Sequence, residues 1–370
     1  MIYDFIIVGA GSAGAHCAYF LKKAGAKVLV VEQNSIASGA SFAAGAFISP
    51  RLGRGGILQK VTNHAFSFSV DFYKKNFSQY FYQTGILRLP KDKEDAEKFS
   101  EYEKFIDVNY EKKSSNDLSF LKDYAKEFGG FFFKDGGVVD AVRICKTLLS
   151  DIEVKESCKV EKIEKKDDVF LVNDFKSKSV VLATGAWEDL NEDYISYGKV
   201  AGFRFDVNAD LNLPCSIHKK ISISKKINNK IIIGATHNRV EEVICPVKPN
   251  SYLLDEAKKM VEIKNVEITG MYCGVRPSIY DHLPVIGEVI DSKKTLEKFS
   301  KIKRGKKIDP KDFIKHKNLY IINGFGGRGF VFGPYISKRL VDFIIDKKEI
   351  EKELNIDRVF LRYMKKGREV

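Results

Sequence analysis

The first residues whose spacing implies chemistry are Gly9-Ala10-Gly11-Ser12-Ala13-Gly14. Glycines at GxGxxG spacing allow a tight turn, close approach of the backbone to a pyrophosphate, and close packing of a helix on a strand. A helix opening just after them directs its unpaired backbone N–H groups at the phosphates. Glu32 adds a carboxylate that can accept bonds from ribose hydroxyls, and an acid at that place disfavours the 2′-phosphate of NADP. A chance glycine-rich turn needs neither the acid nor flanking strands.

Those residues act only if regular elements hold them. An apolar run from Asp4 to Val8, a helical pattern through Ala15, Ala18, Tyr19 and Leu21, and a second run from Lys27 to Val31 predict a strand, turn, helix and strand. Together they span about thirty residues, the size of a βαβ crossover. Two later runs, Ser179 to Thr184 and Leu319 to Asn323, each lead into glycine and are predicted to return to the same sheet. Between them lie an aromatic and charged stretch, Phe66 to Gly137, and a stretch from Tyr197 to Gly270 with strand-like runs at Lys219 to Ser224 and Lys230 to Gly234. The expected fold class is α/β: a Rossmann-like dinucleotide-binding domain carrying an inserted, discontinuous α+β substrate domain. The boundaries that follow are 1–65, 138–196 and 271–346 for the first, 66–137 and 197–270 for the second, and a C-terminal tail at 347–370.

With 370 residues, 44% of them hydrophobic, the chain can bury a substantial core in one large or two ordinary domains. It enters a strand directly after Met1, shows no basic leader, and holds no apolar stretch near the roughly 20 residues that cross a bilayer. A cytoplasmic protein with no membrane span is expected. The six cysteines, with no CxxC pair, are expected to be reduced and mostly buried, and the six histidines fall at no metal-ligand spacing, so no metal is expected. The net charge of +13 suits a polyanionic partner such as nucleic acid, although a general Lys, Ile, Asn and Phe bias would also produce it. The lysine-rich segment 291–317, with Lys301, Lys303, Arg304, Lys306 and Lys307, is either a solvated loop or an electrostatic docking patch.

The choice between NAD and FAD rests on three further motifs: Ser38-Gly39-Ala40-Ser41, Val181-Leu182-Ala183-Thr184-Gly185-Ala186-Trp187 and Gly324-Phe325-Gly326-Gly327-Arg328-Gly329. In order and across nearly the whole chain, they resemble the FAD motifs of the D-amino-acid oxidase superfamily. The resemblance implies a DAO/glutathione-reductase-like fold and FAD, with cofactor contacts at Gly9, Gly11, Ser12, Gly14, Glu32, Ala40, Ser41, Thr184, Gly185, Gly324, Gly326, Gly327, Arg328 and Gly329. No covalent attachment site stands out, so the flavin is expected to be non-covalent. A narrower resemblance is to the oxidase domain of the bifunctional tRNA-modifying MnmC family, which makes 5-methylaminomethyl-2-thiouridine. It is carried by Ala37 to Ser41 continuing to Gly45 and Pro50, by Ile233 to Thr236, by Gly274-Val275-Arg276 with Asp281-His282-Leu283-Pro284 and Gly287, and by Gly326 to Gly329 with Pro334. The chain departs from that family in having no methyltransferase domain and in placing Gly327 where serine is usual.

In related glycine oxidases the arginine of a Gly-Leu-Arg-Pro motif holds the substrate carboxylate, and Gly274-Val275-Arg276-Pro277 matches it. A planar guanidinium grips a carboxylate through two parallel charge-assisted bonds and so fixes the neighbouring Cα over the flavin. The competing role for Arg276 is a structural ion pair, with Asp281 as the partner. Arg328 is the second expected catalytic residue, stabilising the reduced flavin or helping to hold the carboxylate; otherwise it caps its loop. Tyr272 and Tyr280 line the pocket or pack in the core; His282 has the chemistry of a base, but the resemblance implies a structural role for its block.

The implied reaction is oxidative C–N cleavage of an N-substituted glycine. Carboxymethylaminomethyl-uridine at the tRNA wobble position is such a compound; hydride leaves its glycine Cα, and the imine hydrolyses to glyoxylate and aminomethyl-uridine. Oxygen would reoxidise the flavin, and a separate methyltransferase would act next. The alternatives are an oxidase of glycine, sarcosine or a D-amino acid, and an RNA-binding protein without turnover.

Overall fold

A computed structural model describes residues 1–245, 251–299 and 308–366. Its first unit is β1 (Ile2–Val8), α1 (Ser12–Lys23) and β2 (Val28–Val31), within a residue or two of the expected strand, helix and strand. Strand Phe175–Leu182 pairs parallel to the other edge of β1, and strand Lys315–Asn323 pairs parallel to it in turn. Strand Glu153–Lys155 extends the parallel set beyond β2. Antiparallel strands complete an eight-stranded sheet.

Both faces of this sheet are covered, which explains why its strands are continuous apolar runs rather than alternating ones. Successive residues of β1 point to opposite faces. Ile7 packs toward α1, the helix Ile57–Asn76 and the helix Gly329–Asp346. Ile6 packs with Tyr194, Ile195 and the C-terminal helix Asp357–Lys366, through Val359, Phe360 and Met364. The region 347–370 therefore contains a helix that closes the second face of the sheet.

The three helices on the first face meet at His16, which is fully buried. Its Nδ1 donates to the Ser12 carbonyl at 2.7 Å, and its Nε2 lies 3.1 Å from the Tyr73 hydroxyl, itself 2.9 Å from the Phe330 carbonyl. Burial pulls the His16 pKa down to about 4, so the ring is neutral in the fold.

A second, nine-stranded sheet is built around two long antiparallel strands, Gly198–Asp210 and Lys264–Ser278. Strand Ile231–Gly234 lies where it was expected. The run Lys219 to Ser224 does not form one strand. Ser216–His218 and Ser222–Ile223 pair antiparallel, with His218 opposite Ser222, so residues 219–221 make the turn of a hairpin. Ile221 is nonetheless buried, which is why the pattern resembles a strand.

The expectation of six reduced cysteines is corrected: Cys245 and Cys273 form a disulfide, while Cys17, Cys145 and Cys215 are buried thiols and Cys158 is partly exposed. The strands Asn238–Val240 and Lys264–Ser278 both pair with residues 199–201 of the strand Gly198–Asp210, one on each side. The segment after Val240 thereby reaches Cys273, a juxtaposition with no local sequence signal. Of the lysine-rich segment, Lys301, Lys303, Arg304, Lys306 and Lys307 lie outside the described residues. No helix among the described residues is long and apolar enough to cross a membrane.

Candidate active site

The parallel strands present their carboxyl ends to one cavity of 1180 Å³, larger than the roughly 300–1,000 Å³ of an ordinary small-molecule pocket. Gly9 follows β1 at φ +109°, a left-handed conformation that suits glycine, and a Cβ there would overlap the Ala183 carbonyl. Gly11 caps α1 with extended backbone and no side-chain bond, so that of the first helical N–H groups only that of Ser12 is taken by a side chain and that of Ala13, at the cavity wall, faces no intrahelical acceptor. The Ser12 N–H donates to Ser41 Oγ at 2.9 Å, and the Ser12 hydroxyl donates to the Gly329 carbonyl at 2.7 Å, joining the two ends of the chain at the cavity. Glu32, at the end of β2, is buried and accepts from the N–H groups of Ala10 at 2.8 Å and Asn34 at 3.0 Å. Each of its oxygens keeps a lone pair for a ribose hydroxyl.

Of the residues expected to hold the cofactor, Gly9, Gly11, Ser12, Glu32, Ala40, Ser41, Thr184, Gly185, Gly326, Gly327, Arg328 and Gly329 line this cavity. Gly14 and Gly324 do not. A Cβ on Gly14 would overlap the Gly9 carbonyl, so its role is to let α1 approach the turn, and Gly324 turns the chain at φ +78° against Ile279.

Arg276 lies on the strand Lys264–Ser278 opposite Val200 and lines the same cavity. Its Nη2 donates to the Thr236 carbonyl at 3.1 Å, and burial alone lowers its pKa. The suggested partner, Asp281, is bound by Arg358 at 3.0 Å instead. Among the described residues no carboxylate lies within ion-pair distance of Arg276. Its guanidinium fits because position 202 is glycine: a Cβ there would fall on Nη2 itself.

Arg328 donates from Nη1 to the Ser49 carbonyl at 2.8 Å. Burial first, then Arg88 and Arg51, brings its pKa down to about 9, still cationic at neutral pH. Tyr280 and His282 line the cavity, with His282 Nδ1 2.9 Å from the Ser278 hydroxyl. Tyr272 is not in that lining: its ring takes the Arg204 guanidinium over its face, at 4.2 Å, and meets Phe42 edge to face. Sequence reasoning missed Arg51, Arg88, Gly202, His218 and His237, because they converge on the site from segments distant in the chain.

A dinucleotide laid across the carboxyl ends of these parallel strands, with a second sheet closing the cavity opposite, is the arrangement of a nucleotide-dependent oxidoreductase. The family model described as FAD dependent oxidoreductase (DAO) matches residues 4–343, and the chain belongs to that family. FAD is accordingly its cofactor, and the glycine cradle at 9 and 11 together with Glu32 fits the group. The MnmC tRNA 5-methylaminomethyl-2-thiouridine biosynthesis bifunctional proteins of Campylobacter fetus and Marinomonas are 23% and 25% identical to it, over 98% and 99% of this chain. The chain spans 60% of the length of each of these relatives. Among solved structures, glycine oxidase from Geobacillus kaustophilus shares the fold, with a TM-score of 0.77 at 20% identity over 94% of this chain and 95% of that one.

Proposed function

We propose that the protein cleaves the carboxymethyl group from an N-substituted glycine, and that its substrate is carboxymethylaminomethyl-uridine at the wobble position of tRNA. The observation that carries this reading is the half-buried, cavity-lining guanidinium of Arg276, held by one carbonyl and facing no carboxylate of the chain among the described residues. Such a group binds a substrate carboxylate through paired charge-assisted bonds. The tRNA assignment is supported by the likeness to MnmC proteins and by the net charge of +13.

Bound FAD supplies the two-electron acceptor for the glycine Cα–H bond. Arg276 holds the carboxylate, and so fixes which C–H bond faces the acceptor. Arg328 adds positive charge beside the reacting centre, where negative charge develops. Overall, R–NH–CH2–COO⁻, water and oxidised FAD give R–NH2, glyoxylate and reduced FAD. The amine released is what a following methyltransferase would need.

The test is anaerobic bleaching of the flavin in the purified protein by tRNA carrying carboxymethylaminomethyl-uridine, compared with free glycine, sarcosine and D-alanine. Bleaching by the tRNA supports the proposal; bleaching by a small amine alone replaces it with a metabolic amine or amino-acid oxidase.

A further inference from the structure

We propose that Arg51, Arg88 and Arg328, with His218 beside them, form a second oxyanion subsite that takes a further anionic group of the substrate, separate from the carboxylate clamp at Arg276. The proposal rests on the substrate reading above, which it deepens. Three consecutive backbone positions gather the cluster. The Ser49 carbonyl accepts from Arg328 Nη1, the Pro50 carbonyl accepts from Arg88 Nη1 at 3.3 Å, and the next residue is Arg51. Asn63 pins that turn, accepting from the Arg51 N–H at 2.7 Å and donating to the Arg51 carbonyl at 3.2 Å. Arg51, Arg88, His218 and Arg328 all line the cavity.

The charges are not neutralised by the chain. Arg204, Arg339 and Arg358 are paired with Asp206, Glu351 and Asp281, respectively. Among the described residues no carboxylate lies within ion-pair distance of Arg51, Arg88 or Arg328, and Asp95 acts on Arg88 only through space. Arg88 Nε is buried with no hydrogen-bond partner. Burial and the neighbouring Arg51 bring the Arg88 pKa down to about 10, and burial followed by Arg88 and Arg328 holds His218 well below the usual histidine value. Three cations sharing a partly desolvated cavity wall are costly unless an anion joins them. A reduced flavin brings one negative charge and a glycine-type carboxylate brings another, already held at Arg276. Arg51 and Arg88 are left for a second oxyanion, either a phosphate of a nucleotide or a second carboxylate of a small amine.

The binding test uses holoenzyme, with FAD filling its own phosphate site, titrated with inorganic phosphate and read by the flavin spectrum and by the rise in Tm. Saturable binding is expected in the wild type and in Arg276→Ala, weakened at least about tenfold by Arg51→Gln and by Arg88→Gln, both at the cavity wall. Loss of binding in Arg276→Ala, insensitivity to both Arg51→Gln and Arg88→Gln, or no saturable binding to wild type overturns the subsite. The turnover test compares the nucleotide 5′-phosphate of carboxymethylaminomethyl-uridine with its nucleoside, and iminodiacetate with sarcosine. An advantage in kcat/KM of about tenfold or more for one doubly charged member, falling toward unity in Arg51→Gln, identifies the source of the oxyanion. Equal values within both pairs overturn the proposal. Phosphate binding without bleaching by any amine would instead defeat the proposed reaction and leave the subsite standing.

Discussion

Arg276 and Gly202 act as one unit. The guanidinium crosses the space that any side chain at 202 would occupy, on the strand paired with its own. If Arg276 is the proposed carboxylate clamp, Arg276→Ala removes its charge-assisted bonds, worth about 1.5–3 kcal/mol for one such bond, and kcat/KM should fall by about ten- to a hundredfold or more. Gly202→Ala leaves Arg276 in the chain but forces its guanidinium aside, and is expected to produce most of the same loss while FAD remains bound. Steady-state kinetics with flavin content determined on each variant distinguishes the outcomes. A Gly202→Ala protein with wild-type KM would mean that the observed pose of Arg276 is not the one that binds substrate. Loss of flavin from Arg276→Ala would make that arginine structural.

At the scale of elements, the helices meeting at His16 make stability dependent on pH. The unfolded chain protonates His16 below about pH 6.5, whereas the folded one does so only near 4, so unfolding is favoured as pH falls through that window. About 2 kcal/mol should be lost between pH 7 and pH 5 from this ring, and His218, also held neutral by burial, acts in the same direction. Urea midpoints at the two pH values should show a shallower loss for His16→Asn than for the wild type; equal slopes would remove His16 from the account. The Cys245–Cys273 disulfide closes a separation of 28 residues, and reducing it should cost about 3–4 kcal/mol by the loop-entropy relation. A thermal melt that dithiothreitol leaves unchanged would contradict this. These elements also show how far the sequence could be read. The run from β1 through Glu32 and the two returning strands were legible because parallel strands buried on both faces are continuous apolar runs that end in glycine. The disulfide, the hairpin turn at 219–221 and the arginine cluster were not, since each depends on pairings between distant segments rather than on local period.

For the whole molecule, the question is whether a charge of +13 is an instrument or a background. A compositional excess of lysine spread over the surface attracts polyanions weakly, while a surface that neutralises several tRNA phosphates releases their counterions and makes affinity fall linearly in log salt. With single-stranded contacts contributing a slope of about −0.7 per phosphate, even four contacts weaken binding by roughly fiftyfold between 50 and 200 mM salt. Turnover of a free nucleoside carrying the carboxymethylaminomethyl group should be far less sensitive to the same change, because it calls on Arg276 inside the cavity and not on several phosphate contacts. Measuring KM for modified tRNA and for the nucleoside across that salt range separates the surface from the site. A steep dependence for tRNA with a flat one for the nucleoside places the recognition of RNA on the exterior and the choice of bond at Arg276; equally flat profiles would reduce the charge to background and count against tRNA as substrate.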